Sequence, residues 1–155
     1  MEGSTFDEVA FFRAVAAAGV RALLIGRRAM VLLGVPVMTA DYDYWLSIDD
    51  VERFNALARA FELHPTHPPD AARARGRYVL EGDEHVDVLV ARRQSTRDGV
   101  PLAFDDAWAR RETLDLGDAT LAVPSLDDLI ATKRWSMRPR DLADIELLEA
   151  LRGAR

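Results

Sequence analysis

The sequence predicts a single α+β domain over residues 1–155. Three observations carry that prediction. Capped segments with apolar residues at helical spacing are interleaved with short β-rich runs. Two pairs of runs are joined across Gly-Asp turns, Gly82-Asp83 and Gly117-Asp118, as hairpins require. No internal repeat, low-complexity tract or linker breaks the chain into parts.

The elements follow in order. Thr5 and Glu8 have capping-box spacing and open a helix that Gly19 stops. Residues 21–25 read as a short buried strand ending at Gly26, and 27–33 as a short helix ended by Gly34 and Pro36. Tyr42 to Ile48 is β-rich and aromatic. Asp49 or Asp50 caps a helix reaching Leu63, with Val51, Phe54, Leu57, Ala58 and Phe61 on one face. The stretch 64–69, with three prolines, reads as a loop. Hairpins are expected over 77–90 and 112–123, with a polar loop at 92–101 and a helical piece at 104–108 between them. Ser125 with Asp128 starts a helix to Trp135, and Pro139 opens a last helix to Leu151.

Composition bounds the function. A hydrophobic share of 49% and a charged share of 30% are ordinary for a soluble globular protein. With no cysteine, disulfides and thiolate metal sites are excluded, which fits the cytoplasm as the expected location. No apolar run approaches the roughly 20 residues of a membrane span, and no signal-peptide layout is present. A net charge of -6 and a pI near 5.1 argue against bulk nucleic-acid binding. Local basic groups remain at Arg27-Arg28, Arg73 to Arg77 and Arg92-Arg93. Lys133 is the single lysine among 20 basic residues.

The chemistry centres on Thr39-Ala40-Asp41-Tyr42-Asp43-Tyr44-Trp45. Side chains alternate along a strand, so Asp41 and Asp43 share a face about 7 Å apart. Such a pair is either a solvated strand edge or a site where cations neutralise two repelling carboxylates. In His85 to Val90, the valines face the core and leave Asp87 on the other face with His85. If the two strands are neighbours, three aspartates converge on one sheet surface. Carboxylates bridging two magnesium ions are a common arrangement for phosphoryl or nucleotidyl transfer.

Here the chain resembles a family. Leu24-Ile25-Gly26 with Ala29, Gly34 to Pro36, and Thr39 to Asp43 look like the core of a minimal nucleotidyltransferase of the DNA polymerase β superfamily. Val123 to Lys133 and Arg138 to Ile145 resemble its small bacterial members, relatives of abortive-infection toxins and of antibiotic-adenylylating enzymes. The resemblance runs from about residue 20 to 150, with its blocks in the right order. It implies a nucleotidyltransferase fold, a small mixed or antiparallel sheet with helices mostly on one face. The implied activity is transfer of a nucleoside monophosphate from a nucleoside triphosphate to a hydroxyl acceptor: a small molecule, a tRNA end or a protein side chain. The alternative is a catalytically degenerate nucleotide- or protein-binding module with a protein partner, as in toxin–antitoxin pairs.

The resemblance assigns residues. Asp41, Asp43 and Asp87 would be catalytic and hold two Mg2+ or Mn2+ ions, with Asp87 also the base. Gly26 would open the phosphate-binding turn, and Thr39, Lys133 and Asp141 would meet the nucleotide. Asp144, one turn after Asp141, reads as structural. Two positions depart from the pattern. Arg27 stands where the family has glycine or serine, and it either binds a phosphate or fills the pocket. Met38 stands where the family has arginine.

Weaker features complete the reading. His64 and His67 have no third partner for a metal and read as surface histidines. His85 could support Asp87. Tyr44 and Trp45 could stack on a base or pack the core, and Trp45 shares the aspartate face. No Ser-His-Asp arrangement or Walker-type glycine loop is present.

Overall fold

The computed structural model describes residues 6–92, 96 and 98–155. Thr5 and Arg93 lie outside the described residues, as does part of the 92–101 loop. Helix α1 (Glu8–Ala17) is capped by Asp7, whose carboxylate accepts the Ala10 N–H at 3.1 Å. That bond satisfies one of the amide donors a helix start leaves orphaned. Strand β1 (Ala22–Ile25) runs straight into α2 (Gly26–Leu32). Strand β2 (Tyr42–Leu46) follows, then a 3-10 turn at Ile48–Asp50 and α3 (Val51–Arg59). Next come β3 (His64–Pro65), α4 (Pro69–Arg75), β4 (Arg77–Glu81) and β5 (His85–Val90). The chain continues through α5 (Phe104–Ala109), β6 (Glu112–Asp115) and β7 (Thr120–Val123). Helices α6 (Leu126–Lys133) and α7 (Pro139–Gly153) close it.

Five strands form one mixed sheet in the order β1-β2-β5-β4-β3. Only β2 and β5 are parallel; β1, β4 and β3 pair antiparallel with their neighbours. Strands β6 and β7 form a separate hairpin packed on β1 and α1. One sheet face carries Tyr42, Tyr44 and Leu46 of β2 beside Val86, Val88 and Val90 of β5, all buried. Helices α1 and α3 cover it, with Phe11 and Phe54 both edge-on to Tyr44. The other face carries Asp43 and Trp45 beside Asp87 and Leu89. Phe104 of α5 and Trp135 after α6 meet the Trp45 ring, each at 5.1 Å. Beyond Trp45 that face opens into a cleft.

Three local details need correcting. His64–Pro65 is not loop but a short edge strand paired with β4, where proline is tolerated because its missing N–H points away from the ladder. Residues 69–75 form a helix, because Pro68 and Pro69 sit at its start, where proline favours a helix rather than breaking it. Helix α3 also ends short of Leu63: the chain turns at Glu62, whose φ is 59°.

Candidate active site

Asp43 and Asp87 face each other across β2 and β5, in register, on the open face of the sheet. Ile25 flanks Asp43 on β1, and Val79 flanks Asp87 on β4. Gly26 follows Ile25 with φ +71°, a conformation that favours glycine. A Cβ there would come within 2.6 Å of the Asp43 Oδ2 atom. The β1–α2 turn therefore closes directly over the Asp43 carboxylate.

Burial pushes the Asp43 carboxyl up to about 6, and the charges of Asp87 and Asp41 push the same way. The positive charges of Lys133 and Arg140 oppose them. Asp87 is less enclosed, with Arg77 at 3.9 Å and the His85 Nε2 atom at 3.6 Å. Asp41 lies one residue before β2 and is exposed. Its backbone N–H donates to the Thr39 hydroxyl at 3.0 Å, which makes Thr39 the residue that shapes the entry to β2.

Across from the aspartates, Asp144 of α7 is fully buried. Arg27 grips it with two bonds, Nε at 3.2 Å and Nη2 at 3.0 Å, and Lys133 Nζ reaches it at 2.9 Å. Burial opposes the charge on Asp144, but the bonds from Arg27 and Lys133 outweigh it and hold the carboxyl below its usual range. Arg27 also donates to the Met38 carbonyl at 3.3 Å, and the Met38 side chain is 88% exposed. The guanidinium is thus drawn sideways onto α7 and the 38–39 segment, and Arg27 still lines the cleft. Asp141 is equally buried, and one of its oxygens accepts from Ser136 Oγ at 2.7 Å and from the Arg138 N–H at 3.0 Å.

The cleft between these walls has a volume of about 680 Å3. Its lining includes Gly26, Arg27, Thr39, Asp41, Asp43, Asp87, Lys133 and Asp141, so the residues expected to be catalytic or to meet the nucleotide border one space. Asp144 does not line it and acts from behind. The lining also holds Arg77, Thr132, Ser136, Arg138 and Arg140, none of which the sequence had assigned to the site. Arg138 and Arg140 flank the proline that opens α7, and their visible signal was their place in the Arg138 to Ile145 block. Trp45 is not available to a base: it is fully buried under Phe104 and Trp135. Tyr44 is buried on the opposite face.

The donor set fits a hard divalent cation. Asp43 is partly buried between two like charges, and the positive charges of Lys133 and Arg140 do not offset them. Magnesium takes one or two protein carboxylates and fills its octahedron with water and substrate phosphate. Asp43 and Asp87 supply that pair. Among the described residues, no three Asp, Glu or His side chains are already gathered as a metal cage. Of the three aspartates expected on one sheet surface, the strand ladder places Asp43 and Asp87 together, and Asp41 borders the same cleft from outside the ladder.

Comparison of the fold identifies its class. The chain has a minimal nucleotidyltransferase fold, α+β with a mixed five-stranded sheet. The antibiotic-resistance factor ANT(2'')-Ia, in complex with adenylyl-2''-tobramycin, is similar at a TM-score of 0.64 and 15% identity, covering 93% of this chain and 86% of that one. Its solution structure matches at 0.63 and 14% identity, over 95% and 85%. The lincosamide antibiotic adenylyltransferase LnuA, lincomycin-bound, matches at 0.63 and 12% identity, over 95% of this chain and 98% of that one. No family model matches the sequence, and no curated protein does.

Proposed function

We propose that the protein is a metal-dependent nucleotidyltransferase that moves a nucleoside monophosphate from a nucleoside triphosphate to a hydroxyl acceptor. The observation that carries this reading is the in-register Asp43–Asp87 pair at the floor of a cleft whose opposite wall is cationic. The fold likeness supports it, since ANT(2'')-Ia is seen with an adenylylated antibiotic and LnuA is an antibiotic adenylyltransferase.

Asp43 and Asp87 would hold magnesium or manganese, with Asp41 reaching in from the 39–41 segment. A divalent ion bound there supplies charge neutralisation and a more acidic acceptor hydroxyl. Asp87, half-buried beside Arg77 and His85, accepts the proton of that hydroxyl. The acceptor oxygen then bonds to the α-phosphorus, and the bond to the bridging oxygen of pyrophosphate breaks. Lys133, fixed by Asp144, presents a point charge to the phosphates. Gly26 lets the β1–α2 turn approach without a side chain in the way. Thr39 sets the path into β2, and Asp141 holds the start of α7 in place.

The test is incubation with each labelled nucleoside triphosphate, manganese or magnesium, and panels of hydroxyl acceptors, beside Asp43→Asn. Label moved by the parent protein and not by the variant supports transfer. Triphosphate bound but never cleaved, with every acceptor class tried, points instead to a nucleotide-binding module on the same fold.

A further inference from the structure

Among the described residues, five cations line the cleft: Arg27, Arg77, Lys133, Arg138 and Arg140. Four are already engaged. Arg27 and Lys133 share Asp144, Arg138 holds Asp141 at 3.1 Å, and Arg77 stands 3.9 Å from Asp87. Arg140 makes no hydrogen bond or ion pair with another described residue, and it is exposed.

Its place in the chain works against it. Arg140 is the second residue of α7, a 15-residue helix, where the exposed amides give the end a partial positive charge. A cation there is disfavoured by the helix dipole. Arg138, at the cap, is compensated by Asp141. Arg140 has no such compensation, yet its charge is felt at Asp43 across the cleft. An anionic ligand entering the cleft would pair with that charge.

We infer that Arg140 is an oligophosphate-binding residue, meeting the pyrophosphate portion of a bound nucleoside triphosphate. This rests on the proposed triphosphate site, and it names a residue that neither the motif nor the fold likeness assigns. The ligand class is fixed by chemistry. A planar guanidinium takes phosphate oxygens in pairs, and the acidic floor repels an anion that arrives without divalent cations.

The test uses inorganic pyrophosphate with magnesium as the probe, titrated into the full chain by calorimetry. Arg140→Gln should weaken binding about tenfold or more, with the melting temperature unchanged or raised. Arg140→Lys should recover part of the loss. Arg134→Gln removes a cation outside the lining and should leave affinity as it was. Equal affinity in Arg140→Gln and the parent overturns the assignment. So does an equal loss in Arg134→Gln, or a parent protein that does not bind pyrophosphate. Label transfer is read separately. A parent that binds pyrophosphate through Arg140 and transfers nothing sinks the proposed function alone, whereas full transfer by Arg140→Gln sinks only the inference.

Discussion

Asp43 and Asp87 sit opposite each other on the one parallel strand pair of the sheet, so their carboxylates share a face by the geometry of the ladder itself. Parallel register is evenly spaced, and it fixes both backbones without relying on a loop. The rest of the site is arranged around that pair.

Asp43→Asn separates stability from function. Because the folded carboxyl titrates near 6, above its ordinary 3.8, the folded state holds this proton more tightly than the unfolded state. Its contribution to stability is greatest below about pH 4 and is lost as pH rises through about 6. The neutral amide removes that loss. In urea melts without divalent metal at pH 8, Asp43→Asn should be more stable than the parent, by up to about 3 kcal/mol. At pH 4 the two should be nearly equal, and nucleotidyl transfer by the variant should be abolished.

Divalent cations should stabilise the parent protein most where Asp43 is ionised. Adding magnesium at pH 8 should raise the melting temperature by a few degrees, and the gain should shrink at pH 5. In Asp43→Asn the gain should disappear at both values. A gain of equal size at pH 5 would place the cation elsewhere.

Asp144 is predicted to be the most sensitive position. Asp144→Ala leaves Lys133 buried and Arg27 partly buried without their shared carboxylate, and should cost about 3–5 kcal/mol in chemical denaturation. Arg27→Ser should cost less, about 1–2 kcal/mol, since Lys133 still neutralises Asp144. That variant also restores the small residue of the family pattern, so its triphosphate affinity tells whether Arg27 assists or obstructs.

Gly26→Ala places a methyl group where the Asp43 carboxylate lies and forces a left-handed backbone on alanine. It should destabilise by about 1–3 kcal/mol. Transfer measured well below the melting temperature should fall more than the folded fraction does.

The sequence made the acidic floor legible because alternation along β2 and β5 is a local rule. Asp43 and Asp87 needed only the two strands to be neighbours, and they are. The cationic wall was not legible in the same way. Arg27 pairs with a residue 117 positions away, and nothing local announces that Asp144 would hold it together with Lys133. Trp45 obeyed the alternation and still fell outside the cleft, because α5 and the end of α6 close over it. Helix α4 was missed because Pro68 and Pro69 read as breakers, when at a first turn proline starts a helix.

The most direct test of the central claim is crystallography of the protein with manganese and a non-hydrolysable nucleoside triphosphate, read by anomalous scattering. The account predicts manganese between the Asp43 and Asp87 carboxylates, with the triphosphate spanning toward Lys133. A triphosphate in the cleft with no metal on either aspartate, or manganese bound only elsewhere, would contradict it.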